Sequence, residues 1–477
     1  MTEWLLKRAI IIFAAIGLVG CGNVNTPIQP VEGESSNMLE TSAAYTQTSE
    51  PELTTATPIV LSTWTPVPTA ETGVVVIDAA QELGPISPYI SGVNHGPWAT
   101  VPFDLSIYAL DAGITFIRFP GGNYGDDHNL RELQIDQFIQ MTRQYGAEPH
   151  MSVRLQDGTV EAAAAMVEYT NVEKDYAVRY WSIGNEPNLF GEEYDTAQFN
   201  ADWRAYAEAM LAVDPDIILV GPDINTYVAD GAANPKDASG KDWMEEFLKA
   251  NGDLVDIVSI HRYPFPRTMN TAPPAPAELL DSAREFDTTI PFLRQTIRDI
   301  TGRDIPVAVT EVNSNWSHTA GAETTPDSYL NAVWWADAMG RLIRQQVDII
   351  AFFSLQSSPQ LGAYGMLAST ELRPVYHVYP IYKMFGRTLL QASSGVENVS
   401  VYASRRDDGA ITVVMINMNE GEQSVPVRFD GLTQAELNAE VWRLDSTMEY
   451  KQVDSLSITD AQEVSLPGYS VSLLIIE

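Results

Sequence analysis

Cysteine is almost missing: Cys21 is the single one in 477 residues. No intramolecular disulfide is available, so the fold must be held by its core rather than by covalent cross-links. Basic side chains are scarce too, 28 Lys and Arg against 63 Asp and Glu, for a formal charge of −35. A chain without a basic stripe cannot neutralise phosphates, which argues against a nucleic-acid partner, and so acidic a surface speaks chiefly for solubility. The apolar stretch near the N-terminus, Ala9 to Val19, is too short to cross a bilayer comfortably. No glycine-rich phosphate turn follows the first strand-like segment, against the doubly wound dinucleotide-binding sheet.

What is there begins with "MTEWLLKRAIIIFAAIGLVGCGN": Lys7 and Arg8, an apolar stretch, then small residues around Cys21. That is the order of an export signal. "LVGC" resembles the bacterial lipoprotein signal, which implies cleavage after residue 20, lipidation of Cys21 and anchoring on the outer face of a bacterial membrane. Residues 21–72 have no Lys or Arg, are rich in Ser, Thr, Pro and Glu, and show no apolar period. They read as a disordered tether whose reach is roughly 40 Å.

From residue 73 the texture changes. "YISGVN", "ITFIRFPGG", "HMSVRL", "VRYWSIGNE", "IILVGPDIN", "DIVSIHRYP", "IPVAVTEVN" and "DIIAFFSLQ" are eight strand-like runs, separated by stretches with apolar residues three and four apart. Continuous apolar strands alternating with helices predict parallel pairing covered on both faces, and eight such units close a (β/α)₈ TIM barrel over 73–388. Beyond it, segments such as "AITVVMINMN" and "YSVSLLIIE" alternate in twos between Asp-Gly turns and predict an antiparallel β-sandwich over 389–477. "GVVVIDAA" (73–80) precedes the first barrel strand and is a candidate strand of that sandwich. The class is α/β with a C-terminal β domain.

In such a barrel, reactive groups sit where strands end. That rule selects Asn94 and His95 after the first barrel strand, Arg118 and Asn123 with the second, and Asn185 and Glu186 on the fourth. It adds His261 and Tyr263 on the sixth, Glu311 and Asn313 on the seventh, with Trp316 beyond, and Gln356 on the eighth. Two carboxyls facing each other across one mouth are what glycosidic cleavage requires: one protonates a poor leaving oxygen, the other attacks the anomeric carbon. Arg118 close to Glu311 would hold the attacking group as an anion, and Asn185 beside the acid would donate to a sugar 2-hydroxyl. Trp98, Tyr124 and Trp316 offer flat faces to sugar rings, or pack their own loops. Trp334 and Trp335 fall inside a helical pattern and read as core. Asp126, Asp127 and His128 have metal-binding residue types but no paired histidines or partner motif, so neither metal nor cofactor is expected.

"WSIGNEPN" and "VTEVN" resemble the acid/base and nucleophile motifs of clan A glycoside hydrolases, the retaining (β/α)₈ enzymes. "ISPYISGVN" and "IRFPGGN" resemble first- and second-strand motifs of families 51 and 44, whereas Thr310-Glu311-Val312-Asn313 looks more like families 44 and 79. The resemblance implies Glu186 as acid/base, Glu311 as nucleophile and a carbohydrate substrate. An arabinofuranosidase or an endo-acting β-glucanase or xylanase fits, as do a β-glucuronidase or heparanase-like enzyme and a barrel that binds sugar without turning it over. Where the clan often places a tryptophan at the end of the eighth strand, this chain has Phe352 and Phe353.

Overall fold

A computed structural model describes residues 70–477 apart from 269–270, 318, 358–361, 369–370, 433, 435 and 448–449. The export signal, Cys21 and nearly all of the expected tether lie outside the described residues, all of which belong to the unit Ile59–Glu477.

Strand β1 (Val75–Pro85) is followed by eight strands that pair in parallel and close on themselves. They are β2 (Tyr89–Asn94), β3 (Phe116–Phe119), β4 (Glu148–Val153), β5 (Tyr180–Ile183), β6 (Ile218–Asn225), β7 (Ile257–Arg262), β8 (Val307–Val312) and β9 (Ile349–Phe352). Each lies within one of the eight apolar runs or overlaps most of it. The expected (β/α)₈ barrel is present. Its lower interior is filled by Phe116, Tyr180, Val220, Ile257, Ala308 and Ile349, a plug of side chains and not a channel. Above that layer the interior turns polar, with Arg118, His150, Ser182, Asp223, Ser259 and Thr310 all buried.

The strands β10 (Thr388–Ser394), β11 (Val399–Arg405), β12 (Ile411–Asn417), β13 (Gln423–Asp430), β14 (Leu437–Leu444), β15 (Tyr450–Ile458), β16 (Ala461–Leu466) and β17 (Ser470–Ile476) form a second sheet. Its order is β15-β14-β17-β12-β11-β10-β1-β13-β16. Strand β1 thus joins this sheet, antiparallel to β10 and parallel to β13. Residues from its two ends, Ile458 and Ala439 on one side and Val464 and Val427 on the other, share one apolar cluster, so the sheet folds over and buries its inner face as a sandwich does.

The helix Tyr329–Arg344 joins the two layers and is buried on nearly every side, which is why it is largely apolar, Trp334 and Trp335 included, and why its buried Asp337 and Arg341 need partners. Tyr402 of β11 donates to Asp337 Oδ1 at 2.6 Å, and Asp337 also takes Arg341 Nε at 2.8 Å. Gly340 permits this approach, because a Cβ there would stand 2.3 Å from the Tyr402 ring and 2.7 Å from the Tyr382 hydroxyl. In an exposed helix Gly→Ala stabilises by up to about 1 kcal/mol. Gly340→Ala is expected to do the reverse, destabilising by about 1–3 kcal/mol through overpacking, visible as a lowered midpoint in urea unfolding; an unchanged or raised midpoint contradicts the packing described.

Candidate active site

Strand β5 ends in a turn that few sequences can make. Gly184 has φ +77°, and a Cβ on it would meet the Leu155 side chain at 2.8 Å. Glu186 is itself left-handed, φ 49° and ψ 53°, a conformation costing an L-residue roughly 1–2 kcal/mol. Its N–H donates to the Asp223 carbonyl at 3.2 Å, and Pro187 opens a 3₁₀ turn immediately after. Asp126 braces the same bend: one carboxylate oxygen accepts the Asn185 N–H at 2.6 Å, the other the N–H groups of Leu155 and Gln156 at 2.7 and 3.0 Å. Burial pushes the Asp126 carboxyl up to about 6, against the pull of these three donors. The carboxylate of Asp126 is thus spent on backbone N–H groups, and His128 stacks on Tyr124.

Glu311 needs no such device, since it lies within β8. Parallel register sets Asn225 of β6 beside His261 of β7, and His261 beside Glu311. On the other side it sets Asn94 beside Arg118, and Arg118 beside His150. One carboxylate oxygen of Glu186, one of Glu311 and a ring nitrogen of His261 all lie within 4.8 Å of one another.

The two carboxyls are held differently. Glu311 Oε1 accepts Arg118 Nη1 at 2.7 Å and the Gly122 N–H at 2.6 Å, while Oε2 accepts the Tyr263 hydroxyl at 2.8 Å. Three donors fix its orientation. Glu186 Oε1 meets Asn225 Nδ2 at 2.7 Å and His261 Nδ1 at 2.9 Å, whereas Oε2 bonds nothing among the described residues. The glycines of "IRFPGGN" have a physical reason here. A Cβ on Gly121 would fall 2.6 Å from Asn94 Oδ1, and Gly122, at φ +59°, presents its N–H to Glu311 with the Phe353 ring 3.2 Å from where its Cβ would be.

Beneath them Arg118 is fully buried and reaches four partners: Glu311, Asn94 Oδ1 at 3.2 Å, Asn185 Oδ1 at 3.0 Å and Asp223 Oδ2 at 3.1 Å. Burial disfavours its charge, but Asp223 and Glu311 more than compensate and raise its proton affinity. Asp223 is held well below the usual carboxylate range: burial opposes this, and Arg118 and His261 prevail. Thr310 Oγ1 adds a 2.5 Å bond to it. Burial likewise works against the His261 imidazolium, yet Glu311, Asp223 and Glu186 carry it up to about 9. The Tyr263 phenol is driven well above 10 by burial and the nearby carboxylates, and stays a donor. Burial lowers His95 to about 4, and burial with Arg118 and His261 nearby lowers His150 to about 3 against the pull of Asp223.

A cleft of about 920 Å³ opens above this layer, with Glu186 and Glu311 in its wall. Of the residues read from sequence, Asn123, Tyr263 and Trp316 also line it, together with Trp98, Tyr124 and Phe353. Trp316 is 38% exposed, its indole N–H tied to the Pro266 carbonyl. Asn185, Arg118 and His261 lie directly under the carboxyls. Asn94, His95 and Gln356 sit behind: Asn94 donates to the Thr310 and Ala351 carbonyls, His95 packs near Phe119 and Trp98, and the Gln356 carbonyl accepts the Trp98 indole. Asn313 donates to the Phe353 carbonyl, and Phe352 packs on Trp335 in the core. Sequence reading passed over Asp223, Asn225 and the bracing role of Asp126. The first two close the run "IILVGPDIN", so the strand-end rule could have selected them; nothing local marks Asp126.

No family model matches the chain. It is 28% identical over 194 residues to the intracellular exo-alpha-(1->5)-L-arabinofuranosidase of Halalkalibacterium halodurans, covering 31% of this chain and 36% of that enzyme. To the enzyme of the same name from Streptomyces lividans it is 25% identical over 200 residues, 32% of this chain and 28% of that one. The chain thus spans about a third of the length of these curated relatives. The alpha-L-arabinofuranosidase of Thermotoga maritima superposes over 85% of this chain and 99% of its own, TM-score 0.67 at 17% identity. A family 44 xyloglucanase of Paenibacillus polymyxa does so over 85% and 99%, TM-score 0.66 at 14% identity. The fold is that of these glycoside hydrolases. Barrel and sandwich both fall within the superposed length.

The buried imidazolium makes stability depend on pH. Folded His261 holds its proton to about 9 against 6.5 for the free side chain, so its contribution is full below pH 6.5 and is lost as pH rises through 9. The loss is on the order of 3 kcal/mol. His261→Gln is expected to flatten this alkaline slope in urea melts taken between pH 6.5 and 9.5. An identical slope in the variant places the titration elsewhere.

Proposed function

We propose that the protein is a retaining glycoside hydrolase that cleaves O-glycosidic bonds of polysaccharides or oligosaccharides by double displacement, of arabinofuranosidase or endo-β-glucanase/xylanase type. The carrying observation is the approach of the two carboxyls, with one oxygen of each within 4.8 Å. Retaining enzymes hold their carboxyls about 5–5.5 Å apart, whereas inverting enzymes leave about 6.5–9.5 Å for a water. The curated relatives, named as arabinofuranosidases, support the reading.

In the first step a Glu311 oxygen bonds the anomeric carbon while the bond to the leaving oxygen breaks, and the proton of Glu186 passes to that oxygen. Since Oε1 of Glu186 already takes Asn225 and His261, the transferable proton belongs on Oε2, the oxygen left to the cleft. In the second step Glu186 takes a proton from water, the water oxygen bonds the anomeric carbon, and Glu311 departs as the carboxylate that Arg118, Gly122 and Tyr263 are already placed to receive. Those donors stand ready before reaction, so little reorganisation accompanies the release of charge. Asn185, whose amide reaches Asn123 on the cleft wall at 3.0 Å, orients the polar side that meets the 2-hydroxyl. By the sequence reading the enzyme works outside the cell on a lipid anchor at Cys21; Cys21→Ala is expected to move it from the membrane fraction to the soluble one.

A panel of aryl glycosides and dyed polysaccharides identifies the sugar. Glu311→Ala is expected to lose at least about 10³-fold in kcat on every substrate. Glu186→Ala is expected to lose about 10²–10⁴-fold with poor leaving groups, to keep kcat/KM on dinitrophenyl glycosides within about tenfold, and to be rescued by azide. NMR of the first-formed product is expected to show the starting anomeric configuration, and the opposite anomer rejects double displacement. Tight polysaccharide binding with no hydrolysis of any substrate would instead make the barrel a binding protein.

A further inference from the structure

A carboxyl that gives a proton and later takes one back needs its two oxygens aimed. Strand β5 ends at Ile183, so Glu186 stands beyond the ladder, on a left-handed residue that leads straight into Pro187. Its aim comes from β6. The Asp223 carbonyl accepts the Glu186 N–H at 3.2 Å, and two residues further on Asn225 Nδ2 donates to Glu186 Oε1 at 2.7 Å. One short segment thus holds both the backbone and the side chain of the acid.

That segment is bent on either side of Asn225. Asp223 has φ 54° and Thr226 φ 67°, the left-handed region that residues with a Cβ rarely adopt. Buried Ile224 and Tyr227 anchor the bend. Strand β7 holds it from the far side: the Ser259 hydroxyl accepts the Asp223 N–H at 3.0 Å, and the His261 carbonyl accepts the Thr226 N–H at 3.2 Å. Strained backbone that persists in contact with a reacting group points to a positioning task.

Asn225 is held in its turn. The Thr226 hydroxyl donates to its Oδ1, which leaves Nδ2 to Glu186. Its main chain faces Asn188, the last residue of "NEPN". Asn188 Oδ1 accepts the Asn225 N–H at 3.1 Å, and Asn188 Nδ2 reaches the Asn225 carbonyl at 3.5 Å. One side-chain amide therefore meets the N–H and the C=O of the same residue, as a neighbouring strand would. The contacts close a ring: from Glu186 along the chain to Asn188, across to the main chain of Asn225, and back through the Asn225 side chain to Glu186. His261 Nδ1 meets the same Oε1 at 2.9 Å, so both donors crowd one oxygen and the other is left to the cleft.

We propose that Asn225 and Asn188 are positioning residues for the acid/base step: Asn225 pins Oε1 of Glu186, Asn188 pins Asn225, and Oε2 is thereby presented to the glycosidic oxygen. This rests on the glycosidase reading above and adds two residues to it. Neither asparagine transfers a proton, and each acts through Glu186.

The test is a series of aryl glycosides, of the sugar that the substrate panel identifies, graded by the acidity of the leaving phenol. A good leaving group departs with little protonation, so a misaimed acid shows as a steeper fall of kcat/KM as the leaving group worsens. Asn225→Ala is expected to lose about 10–100-fold in kcat/KM on the poorest leaving groups, and no more than about threefold on dinitrophenyl glycosides. Asn188→Ala is expected to steepen the same plot to a smaller degree. Asn188→Asp keeps an acceptor for the Asn225 N–H and is expected to return the slope to near the wild-type value.

A loss that is equal across the series, as a lost substrate contact or a smaller folded fraction would give, overturns the proposal; so does an unchanged slope. Should the wild-type protein hydrolyse no glycoside, the glycosidase reading fails, and the clamp itself is judged from crystal structures of the wild type and Asn225→Ala. A Glu186 carboxyl turned away from its wild-type orientation in the variant sustains the clamp, and one that has not moved overturns it.

Discussion

Arg118 is the cation from which the mouth of the barrel hangs. Its guanidinium has no exposed surface and bonds groups from β2, β6 and β8 and from the turn after β5. Burying one unpaired charge costs several kcal/mol, so the barrel tolerates Arg118 only with its carboxylates in place, and tolerates them only with Arg118. The accounting extends to His261. Its imidazolium is sustained in the same way, by Glu311, Asp223 and Glu186.

Around that network the backbone is held in conformations that a chain adopts only under constraint. Glu186 and Asp223 are both left-handed, and the N–H of the first donates to the carbonyl of the second. Gly121, Gly122 and Gly184 sit where a Cβ would strike Asn94, Phe353 or Leu155. The register shifts in β6, β7 and β8 all fall toward the mouth, where strands bend to aim side chains inward. Such strain persists because the plug of large side chains below and the helices outside over-determine the positions above. The sandwich contributes from the far side, gripping the helix Tyr329–Arg344 that backs β8 and β9.

The legible parts of the sequence were those with a period. Eight apolar runs located eight barrel strands within a few residues, and two glutamates at the ends of the fourth and seventh fell together in space. What sequence could not rank was depth. Asn94, Arg118, Asn123, Asn185 and Gln356 all read as polar residues at strand ends, yet Asn123 lines the cleft, Arg118 and Asn185 support the carboxyls from below, and Asn94 and Gln356 hold the frame behind. A one-dimensional pattern says which strand a residue ends, not how far round the bend its side chain has turned. Asp126 shows the limit: its role is to bind three backbone N–H groups from two other loops, and no local pattern records such partners.

Composition and periodicity by themselves determined the barrel, the sandwich after it and the placing of two glutamates at the ends of the fourth and seventh barrel strands, because burial of apolar faces in periods of two and three to four is written residue by residue. The tertiary structure alone decided the separation of the carboxyls, the imidazolium between them and the oxygen of Glu186 left without a bond among the described residues. Each of those depends on distances between residues 39 to 125 positions apart, from Glu186 and Asn225 to Glu186 and Glu311, set only when the sheet closes and the buried charges find their partners.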